Sequence, residues 1–204
     1  MRLIGMLDSP YVRRVAVSLR CMDLPFIHEA VSVFRHYPEF SAINPVVKAP
    51  TLVTDDGVVL MDSTLILDYA ERLVPPDRRL NPPELPQYAR AQRVVGLALA
   101  ACEKSVQMVY ERTLRPKDKQ HQPWVDRVQR QLLEAYRLLE TEVSPGRAWL
   151  FGERPLQADI AAATAWSFTR SVLADTVATS NHPALSLFGT RAEAVPEFLA
   201  FPNA

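Results

Sequence analysis

Three short stretches combine residue types and spacings that could do chemistry. Ser9-Pro10-Tyr11 follows a short apolar run, Leu3 to Met6, and precedes a helical pattern. A hydroxyl there is either a plain N-cap with proline at the first helical position, or a donor aimed at something held at that helix end. Ala49-Pro50 follows a loop and opens a strand pattern. Proline in that setting is a candidate cis bond. A cis turn would leave the Ala49 N–H and C=O as an unpaired strand edge, on which a small peptide could lie. Asp62-Ser63 opens a second helix. Serine with exposed helix-start N–H groups suits an anion, and Asp62 adds an acceptor for an ammonium group; the plain alternative is a capping pair.

The elements that must position these residues change character along the chain. The first 75 or so residues alternate strand and helix patterns. Leu3 to Met6 reads as a strand. Ser9 to Met22 reads as a helix with Val12, Val15, Ala16 and Leu19 on its apolar face, and Pro25 to Val33 as a second strand. Ala49 to Ser63 reads as a hairpin around Asp55-Asp56-Gly57. Ser63 to Val74 is helical again, with Leu65, Ile66, Tyr69, Ala70 and Leu73 on one side. The expected order is β-α-β-loop-β-β-α.

Val74 to Gln87 then holds five prolines and reads as a linker. Beyond it only helix patterns follow. Tyr88 to Leu114 carries Val94, Leu97, Ala98, Ala101 and Met108 in register. Pro123 to Val143 carries Val125, Val128, Leu132, Ala135, Tyr136 and Leu139. Ala158 to Leu173 is apolar almost all round, the mark of a helix buried inside a bundle. A shorter helix follows His182-Pro183. The expected organisation is an α/β domain over 1–75, a Pro-rich linker over 76–87 and an all-helical domain over 88–204. A pocket is expected where the two domains meet.

Bulk properties exclude several function classes. Net charge is zero, with 23 basic and 23 acidic side chains, so nothing draws the chain to nucleic acid or to an anionic membrane. No apolar run approaches a membrane span. Asp8 interrupts the only early apolar stretch, so no secretory leader is expected and the cytoplasm is the expected compartment. Cys21 and Cys102 lie far apart in helical patterns and read as packed structural residues. The histidines, His28, His36, His121 and His182, are scattered, so no metal site is expected.

Taken in order, Ser9-Pro10-Tyr11, Asn44-Pro45 through Lys48-Ala49-Pro50, Asp62-Ser63 and Ala158-Asp159 resemble the cytosolic glutathione transferases over nearly the whole chain. The opening is most similar to the bacterial serine-type (theta/zeta-like) members. The resemblance implies a thioredoxin-like N-terminal domain with an all-helical C-terminal domain, usually as a homodimer. It implies glutathione as co-substrate, with no metal, and a small hydrophobic electrophile as second substrate. In this reading Ser9 stabilises the glutathione thiolate. A free thiol ionises near pH 8.5, so a hydroxyl donor and a helix N-terminus together favour the anion. The cysteinyl backbone pairs at Ala49 and Pro50. Lys48 matches a position that meets the glycyl carboxylate, and Asp62 and Ser63 suit the γ-glutamyl group. Phe34 is placed with the glutathione site; Tyr11, Met108, Arg112 and Trp166 are placed with the electrophile. Asp159 is expected to bond backbone N–H groups at the entry of the buried helix.

The chain also departs from the family pattern. Val47 stands where the family usually has glycine, and a β-branched residue tolerates positive φ poorly. Leu156 stands where serine or threonine often caps the buried helix. Ser9-Pro10-Tyr11-Val12 contains no cysteine, which argues against disulfide reductase chemistry and the cysteine-type transferases. The expected activity is conjugation of glutathione to electrophiles, with peroxidase activity as an extension. The alternatives on the same fold are a non-catalytic interaction or stress-regulatory protein, and a glutathione-dependent isomerase or dehalogenase.

Overall fold

The structure is a computed structural model that describes residues 1–143 and 147–203; the expected domain end at residue 204 lies outside them. Contacts divide the chain into two units: Met1–Leu80 with the C-terminal tail from residue 194, and Asn81–Glu193.

The first unit is built on a four-stranded sheet in the order β2-β1-β3-β4. Its strands are β1 (Arg2–Ile4), β2 (Ile27–Glu29), β3 (Thr51–Val53) and β4 (Val59–Met61). Strands β1 and β2 run parallel, with Leu3 opposite His28, and are joined by the crossover helix α1 (Pro10–Cys21). A parallel pair cannot be closed by a tight turn, which is why a helix separates them. Strand β3 runs antiparallel to β1, with Leu52 opposite Leu3. Strands β3 and β4 form the hairpin read around Asp55-Asp56-Gly57, where Gly57 takes φ 85°.

Three features of this unit differ from the sequence expectation. The stretch after β2 is not all loop: Tyr37–Ile43 forms a short helix, α2. Only Phe40 of its seven residues is buried, so it carries no amphipathic period to read. It is anchored by Phe40 in a cluster with Ile4 and Val31. In α3 (Ser63–Glu71) the buried face is Ser63, Ile66, Leu67 and Ala70, whereas Leu65 and Leu73 are exposed. The expected apolar side was therefore turned by about one position. The tail from residue 194 belongs to this unit rather than to the helical one. Phe201 stacks on Phe26 with ring centroids 5.5 Å apart, and Phe198 is fully buried.

Helix α1 is covered on both faces. Val12, Val15, Ala16 and Leu19 are fully buried as read from the sequence, and so are Arg13 and Arg14 on the side a period alone would assign to solvent. Arg13 Nε donates to the Phe201 carbonyl at 2.7 Å, and its guanidinium lies 5.6 Å from the Phe198 ring centre. Hydrogen bonding to a carbonyl and stacking on an aromatic face offset the cost of burying that charge.

The second unit packs α4 (Leu85–Thr113), α5 (Gln122–Glu142), α6 (Gln157–Val172) and α7 (Pro183–Glu193). Helix α6 is buried from Gln157 to Trp166, and its alanines let neighbouring helices approach closely. Tyr136 OH donates to the Ala165 carbonyl at 2.9 Å and accepts from the Thr169 hydroxyl at 2.7 Å. Ser105 joins the same Thr169 hydroxyl at 2.7 Å, so three helices share one buried polar cluster. Burial holds the Tyr136 phenol well above its usual ionisation range. Glu140 accepts from the Ala184 and Leu185 N–H groups and closes the start of α7. No helix among the described residues is long and apolar enough to cross a membrane.

Candidate functional site

Ser9 occupies the N-cap of α1 in extended backbone geometry, with Pro10 at the first helical position. The Val12 N–H donates to Ser9 Oγ over 3.5 Å, the outer limit of a hydrogen bond. The cap is therefore weak. The half-buried hydroxyl keeps its proton to donate, beside the unpaired N–H groups and partial positive charge of the helix start.

The loop carrying Val47, Lys48 and Ala49 comes to the same end of the sheet. The Ala49–Pro50 peptide bond is cis. The loop is braced at its base by Asn44, whose Nδ2 donates to Thr51 Oγ1 at 2.9 Å and whose Oδ1 accepts from the Val46 N–H at 3.1 Å. Thr51 Oγ1 in turn donates to the Lys48 carbonyl at 2.8 Å. Val47 takes φ 53°, the left-handed conformation that a β-branched residue tolerates poorly, so the loop keeps this backbone although the glycine usual in the family pattern is missing. Its side chain compensates by packing against the Ile4, Val31 and Phe40 cluster.

Gly5 marks where loop and helix converge. It has φ 140°, and a side-chain carbon placed on it would lie 2.6 Å from Val12 Cγ2 and 3.2 Å from Ala49 Cβ. The end of β1, the first turn of α1 and the cis loop therefore meet around one position with no room for a methyl group. The sequence reading did not single out Gly5; its only signal was a glycine at the end of an apolar strand run.

At the start of α3, Asp62 takes φ 71° and its Oδ1 caps the Thr64 N–H at 2.9 Å. Ser63 is buried behind it. Arg14 Nη1 donates to Ser63 Oγ at 3.1 Å and to Thr64 Oγ1 at 3.2 Å. One guanidinium thus ties α1, which carries Ser9, to the first turn of α3. Arg14 was not among the expected site residues.

The remaining expected residues fall in several places. Lys48 is exposed on the loop beside Ala49. Phe34 is 59% exposed on the turn after β2, where Ser32 Oγ accepts from its N–H. Tyr11 is half-buried in the first turn of α1. Met108, Arg112 and Trp166 belong to the second unit. Met108 and Trp166 are buried there, with Trp166 edge-on to Tyr136 at 5.4 Å and to His182 at 5.7 Å. Arg112 pairs with Asp175 at 3.4 Å and reaches Thr176 Oγ1 at 3.2 Å, tying α4 to the segment after α6.

Asp159 takes the capping role read for it. It is fully buried, and its two oxygens accept from the Leu150 N–H at 2.8 Å and the Leu156 N–H at 2.9 Å. Leu156 offers no side-chain acceptor in return, so only half of a reciprocal cap is made. Among the described residues no group of three histidine, cysteine or carboxylate side chains is placed to hold a metal ion.

Comparison with known proteins bears on this geometry. A sequence model described as glutathione S-transferase, N-terminal domain, matches residues 3–81, and one described as glutathione S-transferase, C-terminal domain, matches residues 122–188. A curated relative, glutathione S-transferase U3 of Arabidopsis thaliana, is 28% identical over 153 residues. That match covers 74% of this chain but only 63% of the plant protein's length. Among solved structures, a glutathione S-transferase of Methylobacterium radiotolerans in complex with glutathione sulfonate is 29% identical with a TM-score of 0.90. It aligns over 100% of this chain and 95% of its own. A glutathione transferase family member of Pseudomonas fluorescens Pf-5 with bound glutathione is 25% identical with a TM-score of 0.84, over 100% and 98% of the two chains.

Proposed function

The chain belongs to the glutathione S-transferase family, and on that premise we propose that it binds glutathione and ionises its thiol for attack on small hydrophobic electrophiles. The observation that carries this reading is the convergence around Gly5. It sets the weakly capped Ser9 helix start beside the cis Ala49–Pro50 edge, with the Asp62-Ser63 helix start tied in through Arg14. The relatives solved with glutathione or glutathione sulfonate support it.

In this mechanism the cysteinyl backbone pairs with the N–H and C=O of Ala49, in the manner of an added strand. The γ-glutamyl carboxylate meets Ser63 and the N–H groups of the α3 start, its ammonium group meets Asp62, and Lys48 faces the glycyl carboxylate. These contacts put the sulfur at the N-terminus of α1. There the Ser9 hydroxyl donates to it, the thiol proton leaves to solvent, and the helix dipole stabilises the anion. The sulfur electron pair then forms the bond to the electrophilic carbon, and the leaving group departs with its own pair. Tyr11, on the same helical turn, contributes to the electrophile side. Ser9 in this role makes the protein a serine-type member of the family. The exposed apolar side chains of Val46, Val59, Met61 and Leu65 suit burial against a second copy, as a homodimer.

Titration calorimetry with glutathione, followed by ultraviolet difference spectra of the complex, tests the reading. Binding at or below millimolar concentration with thiolate absorbance near neutral pH is the expected result. Binding without thiolate would leave a non-catalytic glutathione-binding protein, and no binding at millimolar glutathione would overturn the reading.

A further inference from the structure

His28, one of the scattered histidines, sits half-buried in β2 and takes no part in the contacts proposed for glutathione. Its Nε2 lies 2.8 Å from the Gly5 carbonyl oxygen. A carbonyl only accepts, so Nε2 carries the proton and donates. The main chain explains why a side chain is needed there. The parallel ladder of β1 with β2 pairs Ile4 with Glu29, and the Gly5 N–H donates to the Glu29 carbonyl at 3.0 Å. The next rung of that ladder would bring the Val31 N–H to the Gly5 carbonyl. Instead the Val31 N–H turns back to the Glu29 carbonyl at 2.9 Å. The buried Gly5 carbonyl is left to the imidazole, which replaces the missing rung.

The Gly5–Met6 peptide leads straight into the helix that carries Ser9. The Ser9 N–H donates to the Met6 carbonyl at 3.2 Å, and the Arg13 N–H to the Ser9 carbonyl at 3.0 Å. A bond that fixes the Gly5 carbonyl therefore fixes the peptide plane from which the turn to Ser9 begins. Glycine at φ 140° has no Cβ to resist rotation of that plane, so the restraint must come from outside the residue. We propose that His28 is a positioning residue for Ser9: acting through the Gly5 carbonyl, it sets the turn into α1 so that the hydroxyl points at the sulfur. The proposal rests on the glutathione reading above. His28 itself does not touch the ligand in this scheme. The contacts that hold the tripeptide lie on the cis loop and at the start of α3. Loss of the imidazole therefore acts on thiol ionisation and turnover before it acts on affinity.

Three substitutions separate a donor at this reach from general packing. His28→Leu removes the donor and keeps an apolar side chain. The amide nitrogen of His28→Gln falls close to where Nε2 stands; that of His28→Asn stops short of it. Calorimetry with S-methylglutathione reports binding without an ionisable thiol. Thiolate absorbance of bound glutathione against pH and turnover of a model aryl halide report the chemistry, and circular dichroism checks folding. His28→Leu is expected to lower turnover at neutral pH roughly tenfold or more, with affinity for S-methylglutathione changed less than about threefold. Its thiolate titration should shift to higher pH. His28→Gln is expected to regain most of the turnover and His28→Asn little of it. In a Ser9→Ala background His28→Leu should add no further shift, because it acts through Ser9. Four results would each overturn the proposal: wild-type turnover and titration in His28→Leu, equal behaviour of His28→Gln and His28→Asn, affinity for S-methylglutathione falling as far as turnover, or additive losses with Ser9→Ala. Should His28→Leu not fold, the contrast between His28→Gln and His28→Asn carries the test: higher turnover in His28→Gln supports the proposal and equal turnover overturns it. A wild type that binds no glutathione, or binds it without thiolate, sinks the glutathione reading and this one with it; thiolate formation indifferent to His28 sinks this one alone.

Discussion

Asn44 Nδ2 donates to Thr51 Oγ1 at 2.9 Å and so joins the two ends of the loop that holds Val47, Lys48 and the cis Ala49–Pro50 bond. Both residues are buried, and the Asn44 carbonyl oxygen also serves the Val46 N–H at 3.1 Å. Asn44→Ala removes both bonds and orphans a partly buried N–H. Chemical denaturation should show a loss of about 2 kcal/mol. Glutathione affinity should fall further than that of an equally destabilised core variant in the second unit, because the brace sets the edge at Ala49.

Val47 decides how much strain the same loop stores. A left-handed conformation costs a non-glycine residue about 1–2 kcal/mol. Val47→Gly would remove that cost. It would also forfeit about 1 kcal/mol of packing against the Ile4 cluster and add about 0.5–1 kcal/mol of unfolded-state entropy. These oppose one another, so Val47→Gly should leave stability within about 1 kcal/mol of the wild type. Val12→Gly, in fully buried regular helix, should cost more than about 3 kcal/mol. Thermal or denaturant midpoints of the two variants check the contrast. A large loss at Val47 would mean that the backbone there is not strained.

Ser9→Ala separates capping from chemistry. The cap bond spans 3.5 Å, so its loss should cost less than about 1 kcal/mol of stability. The loss of the hydroxyl donor should raise the pKa of bound glutathione back toward roughly 8.5, and lower the thiolate fraction at neutral pH. Turnover of a model aryl halide should fall about a hundredfold or more. Thiolate absorbance against pH, measured on both proteins, checks the shift. A variant equal to the wild type in both readings would make Ser9 a cap and nothing else.

The parts of this molecule that were legible in its sequence are those set by local chemistry. The apolar period of α1, the Asp55-Asp56-Gly57 turn and the bundle helices follow from side-chain spacing and turn residues. The resemblance marked Val47 as a departure, but its positive φ was not legible, because the packing that holds it comes from Ile4, Val31 and Phe40. What could not be read depends on residues far apart in the chain. Arg13 and Arg14 look like a polar face until the tail and α3 cover them. Gly5 matters only because Val12 and Ala49 both close on it. Helix α2 buries one side chain, and no period can be read from one.

Asp159 makes the helical unit sensitive to pH. Burial pushes its carboxyl up to about 6, while the N–H groups of Leu150 and Leu156 pull the other way. The unfolded carboxyl ionises near the model-peptide value, roughly 3.9. Between these two values the folded state holds the proton more tightly than the unfolded one. The contribution of this group to stability is therefore fully present below pH ~4 and is lost as pH rises through about 6, a swing of at most about 3 kcal/mol. Asp159→Asn cannot titrate and keeps one acceptor for the two N–H groups. The stability of the wild type relative to Asp159→Asn should grow as pH is lowered from 7 to 5, measured from denaturant midpoints. Asp159→Ala, which orphans both donors in a buried place, should cost about 2–4 kcal/mol at pH 7. A pH-independent difference between wild type and Asp159→Asn would mean that the two hydrogen bonds outweigh burial. The carboxylate would then stay ionised in the fold across that range, and the entry of α6 would be capped at no pH-dependent cost.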